Sequence, residues 1–276
     1  MAGIVGCAGV LGMLLLPLQV RAVRVLEGYW DRWPVTAGPA SVLVELQRRK
    51  WQSLYEAGER AGEWSAPDAG KSLPEQLRAR RHSAGVNAAG HGALRRLAGL
   101  PEREALLPTA LGNALRAGEL SAGERYGLAT LASWPRIYPQ VTAPLAAALS
   151  SARDMLDAAV NLCHAFLAGA VVMVVAFYDE PGAWWLVALA LLVAALAYKG
   201  AVVAAQSYAG LMHVVYDLHR FDLVSALHHP LPDRDGEWGL FQRLSDGLAG
   251  RRINLPYDHG SSRPDETHGS AQPEEM

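Results

Sequence analysis

The sequence is poor in cysteine, lysine and charge. Its two cysteines, Cys7 and Cys163, both lie in apolar runs, so a disulfide framework in the water-exposed parts and a cysteine zinc site are excluded. Three lysines stand against 22 arginines, and 19% of the 276 residues are charged, which is below the ~25% usual for soluble domains. The net charge of −2 offers no positive surplus to neutralise phosphates, which argues against a nucleic-acid partner.

Motifs that carry common chemistries are also missing. There is no Walker-type glycine loop, Gly-x-Ser-x-Gly, His-Glu-x-x-His or glycine fingerprint after a strand. One group of potential ligands comprises His213, Asp217, His219, Asp222, His228 and His229. His213 and Asp217 share a helix face, as metal ligands can, whereas His219 points elsewhere. We interpret the group as a solvated polar face, with a metal site as the alternative, and predict no cofactor.

Two long apolar runs dominate what is present. Residues 158–178 carry no formal charge, and residues 183–205 carry one, Lys199. Each run is long enough to cross the ~30 Å core of a bilayer, where only a helix satisfies the backbone of a single span. The four residues between them can join only antiparallel neighbours. The sequence therefore predicts a transmembrane helical hairpin.

The helical pattern continues beyond both runs on the water side, from residue 144 to residue 229. The extensions predict an antiparallel stalk. Residues 1–20 are apolar without the leading charge of a signal peptide, which predicts an N-terminal membrane helix, with an upstream start and a missing helix as the alternative. The predicted fold class is an all-α integral membrane protein: a transmembrane hairpin extended as a cytoplasmic helical stalk, plus an N-terminal membrane helix.

The remaining segments are predicted from spacing and composition. Within a cytoplasmic segment at residues 21–143, apolar spacing predicts an amphipathic helix over 41–60, and glycine, serine and proline predict a mobile linker over 62–92. Residues 230–257 contain one short amphipathic helix pattern. Residues 258–276 are polar and predict disorder, because they cannot bury enough apolar surface.

The distribution of basic residues predicts the orientation. Arginine and lysine accumulate on the cytoplasmic side of membranes. Residues 179–182 contain neither, whereas residues 21–157 contain 18 of them. We therefore expect a multi-pass protein of the plasma membrane, with the hairpin turn and the N-terminus outside and both large segments and the C-terminus in the cytoplasm.

The most distinctive water-side stretch covers residues 107–136. It reads Leu-Pro-Thr-Ala-Leu-Gly-Asn-Ala-Leu-Arg-Ala-Gly-Glu from Leu107, then Arg-Tyr-Gly-Leu from Arg125 and Trp-Pro-Arg from Trp134. This combination resembles a family of uncharacterised actinobacterial integral membrane proteins, whose pattern has aspartate where this chain has Ala129. The resemblance implies a membrane location and no particular activity.

A candidate intramembrane polar cluster is the first of two functional groups. It comprises Asp157, Asn161, His164, Lys199 and Gln206. The spacing places the members from each helix on one face, and folding at the turn brings Lys199 level with His164. We weigh two interpretations: the two stripes face each other and hold the helices in register, or Lys199 snorkels to the headgroups while His164 packs as a neutral residue.

The second group, Trp134, Arg136 and Tyr138, is a candidate interfacial or partner surface. Thr109 is placed to cap a short helix before it. The leading functional hypothesis is a non-catalytic membrane component that binds a partner or forms an oligomer. A small oligomeric transporter or proton-linked channel component is the alternative, and a lipid-modifying enzyme is a third. The expected partners are the lipid bilayer and either a second copy or another membrane protein.

Overall fold

The computed structural model describes residue 21 and residues 23–30, 34–62 and 73–256. In these ranges every regular element is a helix, which confirms the predicted all-α class there. We number the α-helices α1 (Pro34–Gly62), α2 (Leu73–Ala98), α3 (Ala110–Ser121), α4 (Thr130–Ile137), α5 (Ala143–Ala176), α6 (Trp184–Ala226) and α7 (Glu237–Leu248). The N-terminal membrane helix predicted over residues 1–20 and the disorder predicted over 258–276 lie outside the described residues.

The chain divides into two compact units. Unit 1 comprises Met1–Ala122 and Thr142–Val214, and unit 2 comprises Gly123–Val141 and Val215–Met276. The first unit therefore holds α1, α2, α3, α5 and the larger part of α6. The second holds α4, α7 and the last residues of α6.

Helices α5 and α6 form an antiparallel pair in unit 1. Their 34 and 43 residues correspond to lengths of about 51 Å and 65 Å at 1.5 Å per residue. The inner face is built mainly from alanine with a few larger groups: Ala170 with Val187 and Ala190, Cys163 with Ala194 and Ala197, and Leu156 and Val160 with Ala201, Ala204 and Ala205. Small side chains let two helices approach closely. The predicted helical hairpin is thus present, with the register that folding at the turn implies.

Both hairpin helices expose apolar side chains on the faces turned away from each other. Only 17% of the most apolar window of α5 is buried, and 28% of that of α6. The exposed groups include Leu162, Val171, Val172, Val175, Trp185, Leu192, Leu196 and Val203. The core helix of a soluble domain would bury most of this surface. Within the described part of the chain, these two helices are long and apolar enough to cross a membrane.

Helices α1 and α2 pack against each other and correct one prediction. The amphipathic helix over 41–60 is confirmed within α1, but the linker over 62–92 is wrong for residues 73–92, which belong to α2. Glycine here serves close packing rather than flexibility, since a Cβ on Gly90 would lie 2.0 Å from the Cβ of Ala61. The surrounding alanine, arginine and leucine are strong helix formers, and their helix propensity outweighs the low propensity of the glycines.

The shorter helices follow their sequence signals. Thr109 caps α3 as predicted, because its side chain accepts a hydrogen bond from the backbone N–H of Gly112. Pro135 lies inside the eight-residue α4, which is followed by a 3₁₀ turn at Tyr138–Gln140. The short amphipathic helix predicted after Pro232 is confirmed as α7.

Candidate functional site

Hydrogen bonds from the Leu-Pro-Thr motif fix the start of α3. The buried Asn113 side chain accepts from the N–H of Leu107 at 2.6 Å and donates to its carbonyl at 3.0 Å. The Thr109 hydroxyl accepts from Gly112 N–H at 3.0 Å and donates to the Glu27 carbonyl at 2.8 Å. The motif therefore ties the segment before α1 to the helix that follows the motif.

Two glycines of the stretch that begins at Leu107 allow close backbone approach. A Cβ on Gly112 would lie 2.0 Å from the carbonyl oxygen of Glu27, and one on Gly118 would lie 2.8 Å from the Cα of Ala209. The N–H of Leu111 also donates to the hydroxyl of Tyr198 at 3.3 Å. Helix α3 thus lies along α6 in unit 1. Leu111, Gly112 and Gly118 therefore each have a structural role in packing α3.

A buried hydroxyl network lies in unit 2, at the start of α4. Gly123 N–H donates to the Thr130 hydroxyl at 2.8 Å, and that hydroxyl donates to a Glu124 carboxylate oxygen at 2.5 Å. The Tyr216 hydroxyl lies 2.8 Å from the Ser133 hydroxyl and donates to the Thr130 carbonyl at 3.0 Å. Burial disfavours the charged tyrosinate and raises the pKa of Tyr216 to about 12. The network holds the ring in place, while burial keeps its hydroxyl protonated.

The start of α4 is capped without the side chain of its N-cap residue. Ala129 is the N-cap residue of α4 and provides no side-chain cap. The carboxylate of Glu124 accepts the N–H of Thr130 at 3.0 Å instead, while the N–H of Ala129 donates to the Ser245 hydroxyl at 2.8 Å. An aspartate at the N-cap would accept helix N–H groups directly. In this chain a glutamate five residues earlier supplies that interaction.

The Arg-Tyr-Gly motif forms a second polar network in unit 2. Arg125 pairs with Asp217, whose carboxylate also accepts from the Tyr126 hydroxyl at 2.5 Å. Arg220 lies 4.3 Å from the centre of the Tyr126 ring, and its Nε is 2.8 Å from a Glu237 oxygen. Burial, and then the hydrogen bond to Asp217, raise the pKa of Tyr126. Carboxylates of the same unit hold both arginines, and these contacts fix the 3₁₀ turn at Glu124–Tyr126.

The predicted partner surface is partly brought together in unit 2. The rings of Trp134 and Tyr138 are 5.7 Å apart, and Trp134 also stacks on Tyr216 at 6.3 Å. Trp134 is half-buried, whereas Tyr138 is 45% exposed and Arg136 is exposed. Leu131, which the sequence reading did not select, is 64% exposed on the same short helix. An anchored tryptophan therefore lies beside an exposed tyrosine, and an exposed leucine and arginine belong to the same short helix.

The exposed polar residues of the hairpin lie away from its inner face, whereas Asp157 and His164 are half-buried. At about 100° per residue, Lys199 and Gln206 lie roughly 140–160° from Ala201, and both are exposed. On α5, Asn161 is exposed, and the half-buried His164 directs its Nδ1 to the Val160 carbonyl at 2.9 Å. The interpretation that the stripes of one hairpin face each other is wrong, because alanines occupy the contact face. The snorkelling interpretation of Lys199 stays a prediction.

The histidine and aspartate group is dispersed. In unit 1, His213 lies 3.0 Å from the Ser121 hydroxyl. In unit 2, Asp217 belongs to the arginine network, His219 directs Nδ1 to Asp222 at 2.7 Å, and His229 directs Nδ1 to the Pro256 carbonyl at 2.9 Å. Among the described residues, no three of the His, Cys, Asp and Glu side chains form a group that could hold a metal ion.

The sequence reading missed two further features. In unit 1, burial raises the pKa of Glu27 and of Glu119, and repulsion from Glu119 raises that of Glu27 further. In unit 2, a groove of about 450 Å³ is lined by proline, leucine, aspartate and Arg243. The acid pair spans 92 positions of sequence and the groove forms where the tail folds back, so neither leaves a local pattern.

Comparison with known proteins adds no assignment. No family model, no curated protein and no solved structure matches this chain.

Proposed function

We propose that this chain is an integral membrane protein whose α5–α6 hairpin spans the bilayer. The observation that carries the proposal is the exposed apolar surface of both helices, with 17% and 28% burial in their most apolar windows. Exposed valine, leucine and tryptophan would be costly in water but favourable in lipid. Helices of about 51 Å and 65 Å exceed the ~30 Å bilayer core, so their far ends extend into the cytoplasm as a stalk.

The cytoplasmic part is a non-catalytic binding module in this proposal. Unit 2 supports it with the partner surface of Leu131, Trp134, Arg136 and Tyr138. Aromatic and arginine side chains supply much of the energy of protein interfaces. Here Trp134 is already held by Tyr216, so little of its side-chain entropy remains to be lost on binding.

Membrane integration is tested by extraction of isolated membranes with alkaline carbonate and with detergent. We expect the full chain to resist carbonate and to dissolve in detergent. Release by carbonate would contradict a spanning hairpin.

The binding module is tested by a photo-crosslinking amino acid placed at Tyr138 or Leu131, with the exposed Glu104 as the matched control position in unit 1. A discrete protein adduct of reproducible mass at both unit 2 positions, and none at the control, is expected. Adducts with lipid alone would show instead that the surface lies along the headgroups.

An oligomeric transporter is the second candidate, because Lys199 is exposed within the proposed span and Gln206 is exposed directly after it. Ionisable residues at membrane depth usually line a polar path or find a partner. Two described spanning helices cannot enclose a path alone, so this function requires several copies. Purified protein in liposomes should then conduct protons or a small solute, and Lys199→Leu should abolish the flux.

A further inference from the structure

We propose that a second copy of this chain covers the polar side of the hairpin, with the α6 stripe of one copy against the α5 stripe of the next. The inference rests on the proposed membrane location. Its basis is the placement of Lys199 and Gln206 on the outer side of α6 and of Asn161 on the outer side of α5, where all three are exposed, with the half-buried Asp157 on the flank beside Asn161. In one hairpin these groups cannot reach across the alanine-lined contact face.

The two stripes match in depth. Each step along α5 is matched by one step back along α6, so Val160 is level with Ala201 in the inner face. Lys199 and Asn161 therefore lie within about 1.5 Å of the same depth, and Gln206 and Asp157 within about 3 Å. In two copies that share one orientation in the membrane, these groups meet without any vertical shift.

The stripes are also complementary in charge. The α6 stripe carries a cation and an amide, whereas the α5 stripe carries an amide and the carboxylate of Asp157, with the exposed Asp154 below it. Burial raises the pKa of Asp157, and the charge of Arg153, one turn earlier on α5, opposes that shift, so Arg153 already acts on this carboxylate within the same chain. The ammonium of Lys199 thus faces acceptors on the second copy, which lowers the cost of holding a charge at this depth.

The chain's own apolar N-terminal run is a poor alternative occupant. Residues 2–20 contain no acidic side chain, and Gln19 is their only amide. Such a segment offers Lys199 no counter-charge. A second copy supplies both acceptors, and Ala165 on α5 and Ala195 on α6, which lie on the polar side and are exposed, leave room for close contact.

Disulfide crosslinking between two differently tagged copies tests the contact. In a background with Cys7→Ala and Cys163→Ala, one copy carries Ala165→Cys and the other Ala195→Cys. We expect a crosslink between the two tags in membranes. The matched control pair is Leu162→Cys with Gly200→Cys. These two positions are exposed and lie level with each other on the opposite flank, so they should not crosslink.

A charge exchange tests the specificity. Lys199→Glu should reduce the Ala165–Ala195 crosslink at least threefold, and adding Asn161→Lys, which lies level with residue 199, to the same chain should restore it. Carbonate extraction of every variant is measured first. Three results overturn the inference if the protein stays in the membrane: no crosslink, equal crosslinking of both pairs, or a crosslink yield unaffected by Lys199→Glu. Each of them leaves the membrane proposal standing. Protein released by carbonate overturns the membrane proposal itself.

Discussion

Replacement of Gly112 by alanine should destabilise unit 1 through a single methyl group. The added Cβ would lie 2.0 Å from the Glu27 carbonyl oxygen and 2.9 Å from both its carbonyl carbon and Leu107 Cδ1. Relief of this overlap requires a backbone shift of more than ~1 Å, and overpacking of this kind costs about 1–3 kcal/mol of unfolding free energy. The shift also weakens the Thr109–Glu27 hydrogen bond, at a cost of about 1 kcal/mol.

The higher helix propensity of alanine returns about 1 kcal/mol, so the expected net loss is about 1–3 kcal/mol. The assay is helical unfolding of the detergent-solubilised protein, followed by circular dichroism against temperature or denaturant. Gly92→Ala is the matched control, because Gly92 is also helical and nothing lies within 4 Å of its added Cβ. It should be neutral or stabilising by up to ~1 kcal/mol. Equal stability of the two variants would refute the close-approach reasoning.

Two further predictions concern buried polar groups. Asn113→Ala leaves the N–H and C=O of Leu107 without their partner and should cost about 2–5 kcal/mol of unfolding free energy. Replacement of the exposed Asn254 by alanine is the control and should change that free energy by less than ~0.5 kcal/mol. Similar values for both variants would contradict the anchoring role of Asn113. For Tyr216, the unfolded chain loses its phenolic proton near pH ~10, but the folded chain retains it until about pH 12. The stabilisation is therefore complete below pH ~10 and should fall by up to ~1.4 kcal/mol per pH unit as the pH rises toward 12. Tyr216→Phe should flatten this part of the pH profile, and an unchanged profile would show that the hydroxyl is not protected.

The hairpin and most helices could be predicted because their signals are local. Run length, the short turn and the uninterrupted apolar spacing specify α5 and α6, and Thr109 alone marks the start of α3. The linker prediction fails at α2 because glycine usually breaks helices, whereas Gly90 serves close contact with Ala61 of the preceding helix, α1. Composition alone does not show which glycines pack closely against another helix.

The candidate site was harder to predict because it depends on which face of a helix meets which neighbour. The spacing of Lys199 and Gln206 correctly places them on one stripe, but spacing alone does not tell whether that stripe points inward. Alanines at Ala194, Ala197 and Ala201 decide it by forming the closer contact. Leu131 was missed for a similar reason, since its exposure depends on how α4 packs.

The orientation of the hairpin is the most direct test of the account. In the cysteine-free background, single cysteines at Gly182, in the turn, and at Gly239, on α7, are exposed and meet no atom within 4 Å. An impermeant thiol reagent on intact cells should label Gly182→Cys, and should label Gly239→Cys only after the membrane is permeabilised. Labelling of Gly239→Cys alone in intact cells, or of neither site until permeabilisation, would contradict a membrane-spanning hairpin with its turn outside.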